Sequence, residues 1–365
     1  MSKKTYRYST RDLIIVLVVL ALGFLAQQFL GGGAPETPEP ATTDAPTTAI
    51  RVYFTEPRYP DDKANRPPAI DRFLVEAIDQ AQKTVDMAAF ELDLESVTQA
   101  LIRAHQRGVR VRVVTDSDYV DEYGPVELQK AGVPVVFDGR EPFMHNKFTV
   151  IDGKQVWMGS WNYTNNCTFR NNNNAVVFDS PELAANYTAE FEEMFLDRKF
   201  GPNSPINVKY PEVTVGGVKV ENYFASEDKS IIPRLVELIQ GARKSVYFMA
   251  FSFTDDSVAA AMVERYRQGV TVQGVMEARN ATGSGSEFDV LKQAGISILA
   301  DGNPYVMHHK VIIIDEAIVV TGSFNFTGGA AKNNDENLVI IHSPEIAALY
   351  KAEFDRVYAQ AQAAQ

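Results

Sequence analysis

The chain has 365 residues, of which 45% are hydrophobic and 22% charged, and its formal net charge is −12. This composition excludes a wholly disordered chain and a multi-span membrane protein, and the length is typical of two domains. The single cysteine, Cys167, excludes an intramolecular disulfide and a zinc site built from several cysteines. The acidic charge disfavours a nucleic-acid partner without excluding one, because such affinity rests on lysine and arginine at the phosphates.

The N-terminal end predicts a membrane segment. Residues 1–12 are basic, residues 13–30 form an uncharged apolar run, and residues 31–48 are rich in proline and threonine. A run of this length can cross a bilayer as a helix, and the preceding basic residues favour a cytoplasmic N-terminus. We predict a single-pass membrane anchor over 13–30 and an extended linker over 31–48. The protein would then lie in the cell membrane, with the catalytic part outside the cytoplasm. The alternative is a cleaved signal peptide and a secreted protein.

The rest of the chain contains a long internal repeat. The segment that begins at Val75 resembles the one at Val236, and the segment at Ser180 resembles the one at Ser343. Self-similarity over roughly 130 residues indicates two copies of one domain. We predict domain 1 over 49–205 and domain 2 over 206–360.

Within each copy, short apolar runs alternate with amphipathic stretches. A predicted strand is followed by a helix, a glycine and a second strand, a pattern typical of an α/β fold with a mostly parallel sheet between helix layers. The predicted elements are the strands 85–90, 109–115, 246–251 and 270–275 and the helices 96–107 and 257–268.

Both copies carry the same polar motif, H-x-K-x4-D-x6-G-S-x-N. Because side chains alternate along a strand, the histidine and lysine of one motif point to the same face, and the following turn returns the asparagine toward them. Each copy therefore supplies an imidazole, an ammonium and an amide. The motif residues are His145, Lys147, Asp152, Ser160 and Asn162 in copy one, and His308, Lys310, Asp315, Ser323 and Asn325 in copy two.

These groups suit the chemistry of a phosphate ester. The ammonium and the amide stabilise charge on phosphoryl oxygens, and the imidazole can attack phosphorus or transfer a proton. One histidine cannot both attack and protonate a leaving group on the opposite side, so we expect the two copies to face each other. We expect no metal and no cofactor, because the lysines would repel a cation and no ligand motif is present.

The paired motif resembles the signature of the phospholipase D superfamily, and the repeat covers roughly residues 50–360. The resemblance implies two tandem α-β-α sandwich domains related by a pseudo-two-fold axis, with a complete active site in one chain. It also implies a metal-independent phosphodiesterase with a phosphohistidine intermediate. In this family the motif aspartate is usually structural, which implies a supporting place for Asp152 and Asp315.

An acidic residue often follows the motif asparagine in this family and binds the histidine of the same copy. That position is Glu336 in copy two and Asn173 in copy one. A carboxylate favours the protonated imidazole, whereas a neutral amide does not. We therefore predict that His308 is the general acid and His145 the nucleophile.

The anchor, the linker and the acidic body favour a membrane-bound hydrolase that acts on phospholipid headgroup esters. A nuclease of the same superfamily is the main alternative, and a basic track through the site would indicate it. A phosphatidyl transferase and an inactive binding module are further alternatives.

Overall fold

The structure, a computed structural model, describes residues 49–365, and its first half is built around seven strands. The strands are β1 (Ile50–Phe54), β2 (Thr84–Ala89), β3 (Arg110–Thr115), β4 (Val135–Phe137), β5 (Lys147–Ile151), β6 (Gln155–Gly159) and β7 (Asn174–Asp179). The helices are α1 (Asp71–Gln80), α2 (Glu95–Gln106), α3 (Tyr123–Lys130), α4 (Asn165–Phe169) and α5 (Pro181–Phe195), and short 3-10 helices cover Lys63–Asn65, Ser117–Tyr119 and Gly201–Asn203.

The second half repeats this order of elements, with one further strand and one further short helix. The strands are β8 (Glu212–Val215), β9 (Val218–Ala225), β10 (Ser245–Ala250), β11 (Thr271–Met276), β12 (Ser297–Ala300), β13 (Lys310–Ile314), β14 (Ile318–Gly322) and β15 (Glu336–His342). The helices are α6 (Ile231–Gly241), α7 (Asp256–Arg267), α8 (Ala278–Ala281), α9 (Phe288–Gln293), α10 (Gly328–Lys332) and α11 (Pro344–Ala363).

Each half has its own mixed sheet. The strand order is β1-β7-β6-β5-β2-β3-β4 in the first sheet and β12-β11-β10-β13-β14-β15-β9-β8 in the second. Only the pairs joined through helices, β2 with β3, β3 with β4 and their counterparts, are parallel. The prediction of a mostly parallel sheet is therefore wrong. The motif forms a hairpin, β5–β6 or β13–β14, whose three-residue turn can join only antiparallel strands.

Local sequence signals explain where the long helices begin. Ser180 and Ser343 cap α5 and α11, and their side chains accept hydrogen bonds from the backbone N–H groups of Leu183 and Ile346. A proline follows each serine, where its missing N–H costs no helical hydrogen bond. The predicted helices 96–107 and 257–268 are confirmed to within one residue at each end.

Three apolar cores hold the layers together. In the two outer cores, α1 and α2 pack on the first sheet, and α6 and α7 pack on the second. A central core joins the inner faces of both sheets to α5 and α11. Its buried aromatic residues include Tyr187, Phe191, Tyr350 and Phe354. Because one core contains residues of both repeats, the two halves pack against each other along α5 and α11.

Among residues 49–365, no helix is both long enough and apolar enough to cross a membrane. The predicted anchor over 13–30, the basic segment 1–12 and the linker 31–48 lie outside the described residues.

Candidate active site

The two motif histidines lie at the junction of the halves, just before the central strands β5 and β13. Lys147 and Lys310, the first residues of these strands, pair with the last residues of β2 and β10. The Lys147 Nζ donates to the carbonyl oxygen of His145 at 2.7 Å, and the Lys310 Nζ donates to that of His308 at 2.9 Å. All four side chains are buried. The structure thus brings together the histidine and lysine pairs that the sequence predicts.

Backbone hydrogen bonds cross between the halves at this junction. The His145 N–H donates to the carbonyl oxygen of Asp335 at 2.9 Å, and the His308 N–H donates to that of Asn172 at 2.9 Å. Each histidine is therefore fixed beside the segment that precedes the last strand of the opposite half, β15 or β7. This crossing decides which side chains the imidazoles meet.

Each imidazole binds a side chain of the other repeat. The His145 Nδ1 lies 2.7 Å from Glu336 Oε2, and the His308 Nδ1 lies 2.8 Å from Asn173 Oδ1 and 3.1 Å from the carbonyl oxygen of Ser160. The prediction that Glu336 binds the histidine of its own copy is wrong, because the loops cross at the junction. A carboxylate and a backbone carbonyl only accept, so both Nδ1 atoms carry the proton and both Nε2 atoms are the free nitrogens.

The motif serines bind the side chains that hold the two imidazoles. Ser323 Oγ donates to Glu336 Oε2 at 2.6 Å, and Ser160 Oγ donates to Asn173 Oδ1 at 3.1 Å. Each serine therefore fixes the group that orients the histidine of the opposite repeat.

Burial and neighbouring positive charge dominate the electrostatics of the site. Burial lowers the pKa of His145 to about 4 although Glu336 raises it, and burial lowers the pKa of Lys147 to about 8. The pKa values of His308 and Lys310 are also held well below their usual range, by burial first and then by the other cations of the site. A phosphodiester anion placed among these groups offsets their mutual repulsion.

Two aromatic rings cover the lysines symmetrically. Phe90 and Phe251 follow β2 and β10, and each ring centroid lies 4.7 Å from a lysine Nζ. Each ring also meets a histidine edge-on, at 4.7 Å for His145 and 4.8 Å for His308. The rings exclude water from the cations and so strengthen their interaction with an anion.

Glu91 is a site residue that the sequence does not predict, and its carboxylate accepts a hydrogen bond from Asn162 Nδ2. Burial raises the pKa of Glu91. The corresponding residue of copy two is Ser252, so only one of the two motif asparagines meets a carboxylate. The single signal in the sequence was a charged residue directly after a buried strand.

The motif aspartates lie at the β5–β6 and β13–β14 turns and act on the backbone. Asp152 accepts hydrogen bonds from the N–H groups of Gln82, Lys83 and Thr84 at 2.7–3.2 Å, and Asp315 does the same for residues 243–245. Both residues have a φ of 53°, a conformation that aspartate tolerates better than most side chains. These contacts are structural.

A cleft of about 510 Å³ opens over the two histidines. His145, His308, Asn162 and Asn325 line it, together with Glu91. The remaining described residues of the wall are aromatic, small or neutral, namely Phe90, Phe143, Cys167, Asn171, Phe251, Ser252, Asn280, Val306, Thr327, Gly329, Ala330 and Asn334. Among the described lining residues there is no lysine or arginine, so the cations of the site are the two buried lysines beneath the histidines.

Comparisons with known proteins show the family. The family model for the phospholipase D-like domain of cardiolipin synthases matches residues 74–195 and 235–358. A human mitochondrial cardiolipin hydrolase is 33% identical over 132 residues, which are 36% of this chain and 52% of the relative. A phospholipase D of Rickettsia bellii is 37% identical over 116 residues, which are 32% of this chain and 58% of the relative.

Solved structures also include proteins that are similar over most of the chain. The phosphatidylserine synthase of Haemophilus influenzae has a TM-score of 0.60 and 13% identity, over 81% of this chain and 85% of that one, which shows the fold alone. The chain spans only 52% and 58% of the lengths of the two curated relatives described above.

Proposed function

The chain belongs to the phospholipase D-like family, and we propose that it hydrolyses phospholipid headgroup esters through a phosphohistidine intermediate. The observation that carries the proposal is the pair of buried histidines at one cleft. Each is held at Nδ1 by the opposite repeat, which leaves both Nε2 atoms free for an in-line reaction at phosphorus. A single chain supplies both.

We assign the attack on phosphorus to His145. Its Nε2 forms the new bond to phosphorus and the bond to the headgroup oxygen breaks. The bound phosphodiester anion favours the protonated form of His308, which carries a second proton at Nε2 and gives it to the departing alcohol. Water, deprotonated by His308, then cleaves the phosphorus–nitrogen bond and releases phosphatidate. The ammonium groups of Lys147 and Lys310 stabilise the phosphoryl oxygens in both steps.

The crossed partners support this division of roles. Attack through Nε2 leaves the imidazole of His145 positively charged, and the buried Glu336 carboxylate stabilises that charge at Nδ1. Asn173 offers His308 an acceptor without a charge, so His308 is freer to release its proton. The assignment agrees with the expectation from the sequence, but for a different reason. The sequence argument had Glu336 beside the general acid His308, whereas the Glu336 carboxylate lies beside His145.

The wall of the cleft favours a lipid over a nucleic acid. A nucleic acid carries neighbouring phosphates, each of which needs its own cation for tight binding. The described lining offers phenylalanines and Glu91, with Phe143 40% exposed at the cleft. Such a wall suits one phosphodiester flanked by apolar groups.

The membrane anchor over residues 13–30 and a catalytic part outside the cytoplasm are further proposals, which rest on the sequence alone. Protease added to spheroplasts should then digest residues 49–365. Protection of these residues in intact spheroplasts, with digestion after lysis, would overturn this orientation.

The proposed substrate class is tested by giving the full chain several phosphodiesters in parallel. Detergent-solubilised protein is incubated with cardiolipin, phosphatidylcholine and single-stranded DNA, with chelator in excess, and released headgroup and nucleotides are measured. We expect phosphatidate and free headgroup from lipid, with no release by His145→Ala. A matched control is His105→Ala, a partly exposed histidine of α2 that should retain full activity.

Three results would change or overturn the proposal. Cleavage of DNA with intact lipid would replace the lipid hydrolase with a nuclease. Transfer of the phosphatidyl group to an added alcohol in preference to water would make the chain a transferase with the same first step. No turnover of any diester would refute an enzymatic role.

A further inference from the structure

Three buried glutamates lie close together where α5 of the first half packs against the second half. Glu190 and Glu193 lie on α5, and Glu227 follows β9 of the other half. Their exposed fractions are 1%, 4% and 8%, and one carboxylate oxygen of each lies within 4.8 Å of the others. Such a concentration of acidic groups away from water needs a compensating partner.

The protein leaves much of this cluster unsatisfied. Glu190 Oε2, Glu193 Oε1 and Glu227 Oε2 have no hydrogen-bond partner. The Oγ of Ser204, a residue 8% exposed, also lacks a partner, although the hydroxyl faces Glu193 and lowers its pKa. An unpaired hydroxyl among unpaired carboxylate oxygens is the arrangement of an oxygen-ligand site.

The donors that do reach the cluster are neutral. Asn146 Nδ2 donates to Glu190 Oε1 at 3.1 Å, and Asn207 Nδ2 donates to Glu193 Oε2 at 2.8 Å. Within the described part of the chain, none of the three glutamates forms a salt bridge.

The second repeat provides an internal comparison. Glu353 corresponds to Glu190, but the position of Glu193 is taken by Arg356. The Arg356 guanidinium binds both oxygens of Glu353 at 2.7 and 2.8 Å, and His309 Nε2 lies 2.9 Å from the same carboxylate. One repeat therefore has a cation of its own at this place, and the other has a further carboxylate.

The pKa values follow the same contrast. Burial opposes ionisation of Glu353, yet its contacts with His309 and Arg356 hold its pKa below the usual range. In the first repeat burial raises the pKa of Glu190 well above normal, that of Glu193 to about 7 and that of Glu227 to about 8. Among the described residues, no cation binds the cluster as Arg356 binds Glu353 in the second repeat.

We propose that Glu190, Glu193 and Glu227 bind one calcium ion that links α5 to the end of β9. Calcium prefers carboxylate and other oxygen ligands at about 2.4 Å, so ligands on opposite sides of one ion lie about 4.8 Å apart. The three oxygens fit within that span. The proposal is independent of the proposed function, because the ion joins the two halves and takes no part in the reaction.

The test measures calcium binding and thermal unfolding of the full chain in parallel. Protein freed of metal with chelator is titrated with CaCl₂ by calorimetry, and its Tm is then measured with and without calcium. At about 100 times the Kd, a ligand of the native state should raise the Tm of a chain of this size by about 4 °C. Glu193→Gln and Glu227→Gln should lose both the binding and the shift.

Two further variants separate a metal site from a general charge effect. Glu193→Arg introduces the guanidinium that the second repeat already has, and it should make the Tm independent of calcium. Glu192→Gln removes the same charge from a half-exposed neighbour on α5 and should keep the full calcium response. If a cluster variant does not fold, the response of the wild-type chain to calcium and chelator still decides the question.

Other results would overturn the proposal. A wild-type chain that neither binds calcium nor changes its Tm would indicate carboxyl groups held neutral by protons. An equal calcium response in Glu193→Gln and in wild type would place the ion elsewhere. Tighter binding of Mg²⁺ or Mn²⁺ than of calcium would overturn the choice of ion.

Discussion

Replacing Glu336 with glutamine removes the negative charge that lies 2.7 Å from His145 Nδ1 and keeps the size of the side chain. Both residues are buried, so solvent does not screen the interaction. A hydrogen bond to a charged group contributes about 1.5–3 kcal/mol. Because about 1.4 kcal/mol corresponds to a factor of ten in rate, we expect kcat to fall roughly 10- to 150-fold.

The pH dependence gives this prediction a second readout. Burial lowers the pKa of His145 to about 4, and Glu336 raises it against that effect. Without the carboxylate the pKa falls further, so the acid limb of the kcat/KM profile should move to lower pH. The assay is steady-state hydrolysis of phosphatidyl-p-nitrophenol between pH 3 and pH 9 by the full chain. Glu237→Gln, an exposed substitution, is the matched control. An unchanged kcat, or an acid limb that moves to higher pH, would show that the Glu336 carboxylate does not stabilise the charged imidazole of His145.

Three further predictions concern the other parts of the site. His308→Ala should lower kcat about 10²- to 10⁴-fold on natural esters. On p-nitrophenyl esters the loss should be much smaller, because p-nitrophenolate leaves without a proton. An equal loss of kcat on both substrates would contradict this. Asp152→Asn should lower the free energy of unfolding by roughly 1–3 kcal/mol at pH 7 in urea titrations, with kcat unchanged. Burial opposes ionisation of Asp152, but the backbone N–H donors hold its pKa below 3.8. Its contribution to the free energy of unfolding is therefore present above that pH and is lost as the pH falls further. A difference from wild type that persists undiminished at lower pH would contradict this. Excess chelator should leave initial rates unchanged well below the Tm, and a loss restored by a divalent ion would show metal-dependent chemistry.

The sequence predicts the site groups well because they are local. His145 and Lys147 are two residues apart on one strand, so the period of a strand alone places them on one face. The copy at His308 repeats the same spacing, which separates these residues from ordinary buried polar groups. The helices α2 and α7, which follow β2 and β10, are confirmed for the same reason, since their apolar spacing and the glycine after each of them lie within a few residues.

The contacts that the sequence does not reveal join residues far apart in the chain. Glu336 lies 191 positions from His145, and only the crossing of the loops between the halves decides that it binds His145 and not His308. The cluster of Glu190, Glu193 and Glu227 likewise depends on α5 packing against the other half. Spacing within one repeat carries no information on such pairs.

The central claim is that His145 and His308 serve one reaction with different roles, and covalent trapping tests it most directly. Full chains carrying His308→Ala or His145→Ala are mixed with phosphatidyl-p-nitrophenol labelled with ³²P, quenched under alkaline conditions and digested. We expect acid-labile label on the peptide that contains His145 in the His308→Ala chain, and no label in the His145→Ala chain. Label on His308 in the His145→Ala chain would contradict it.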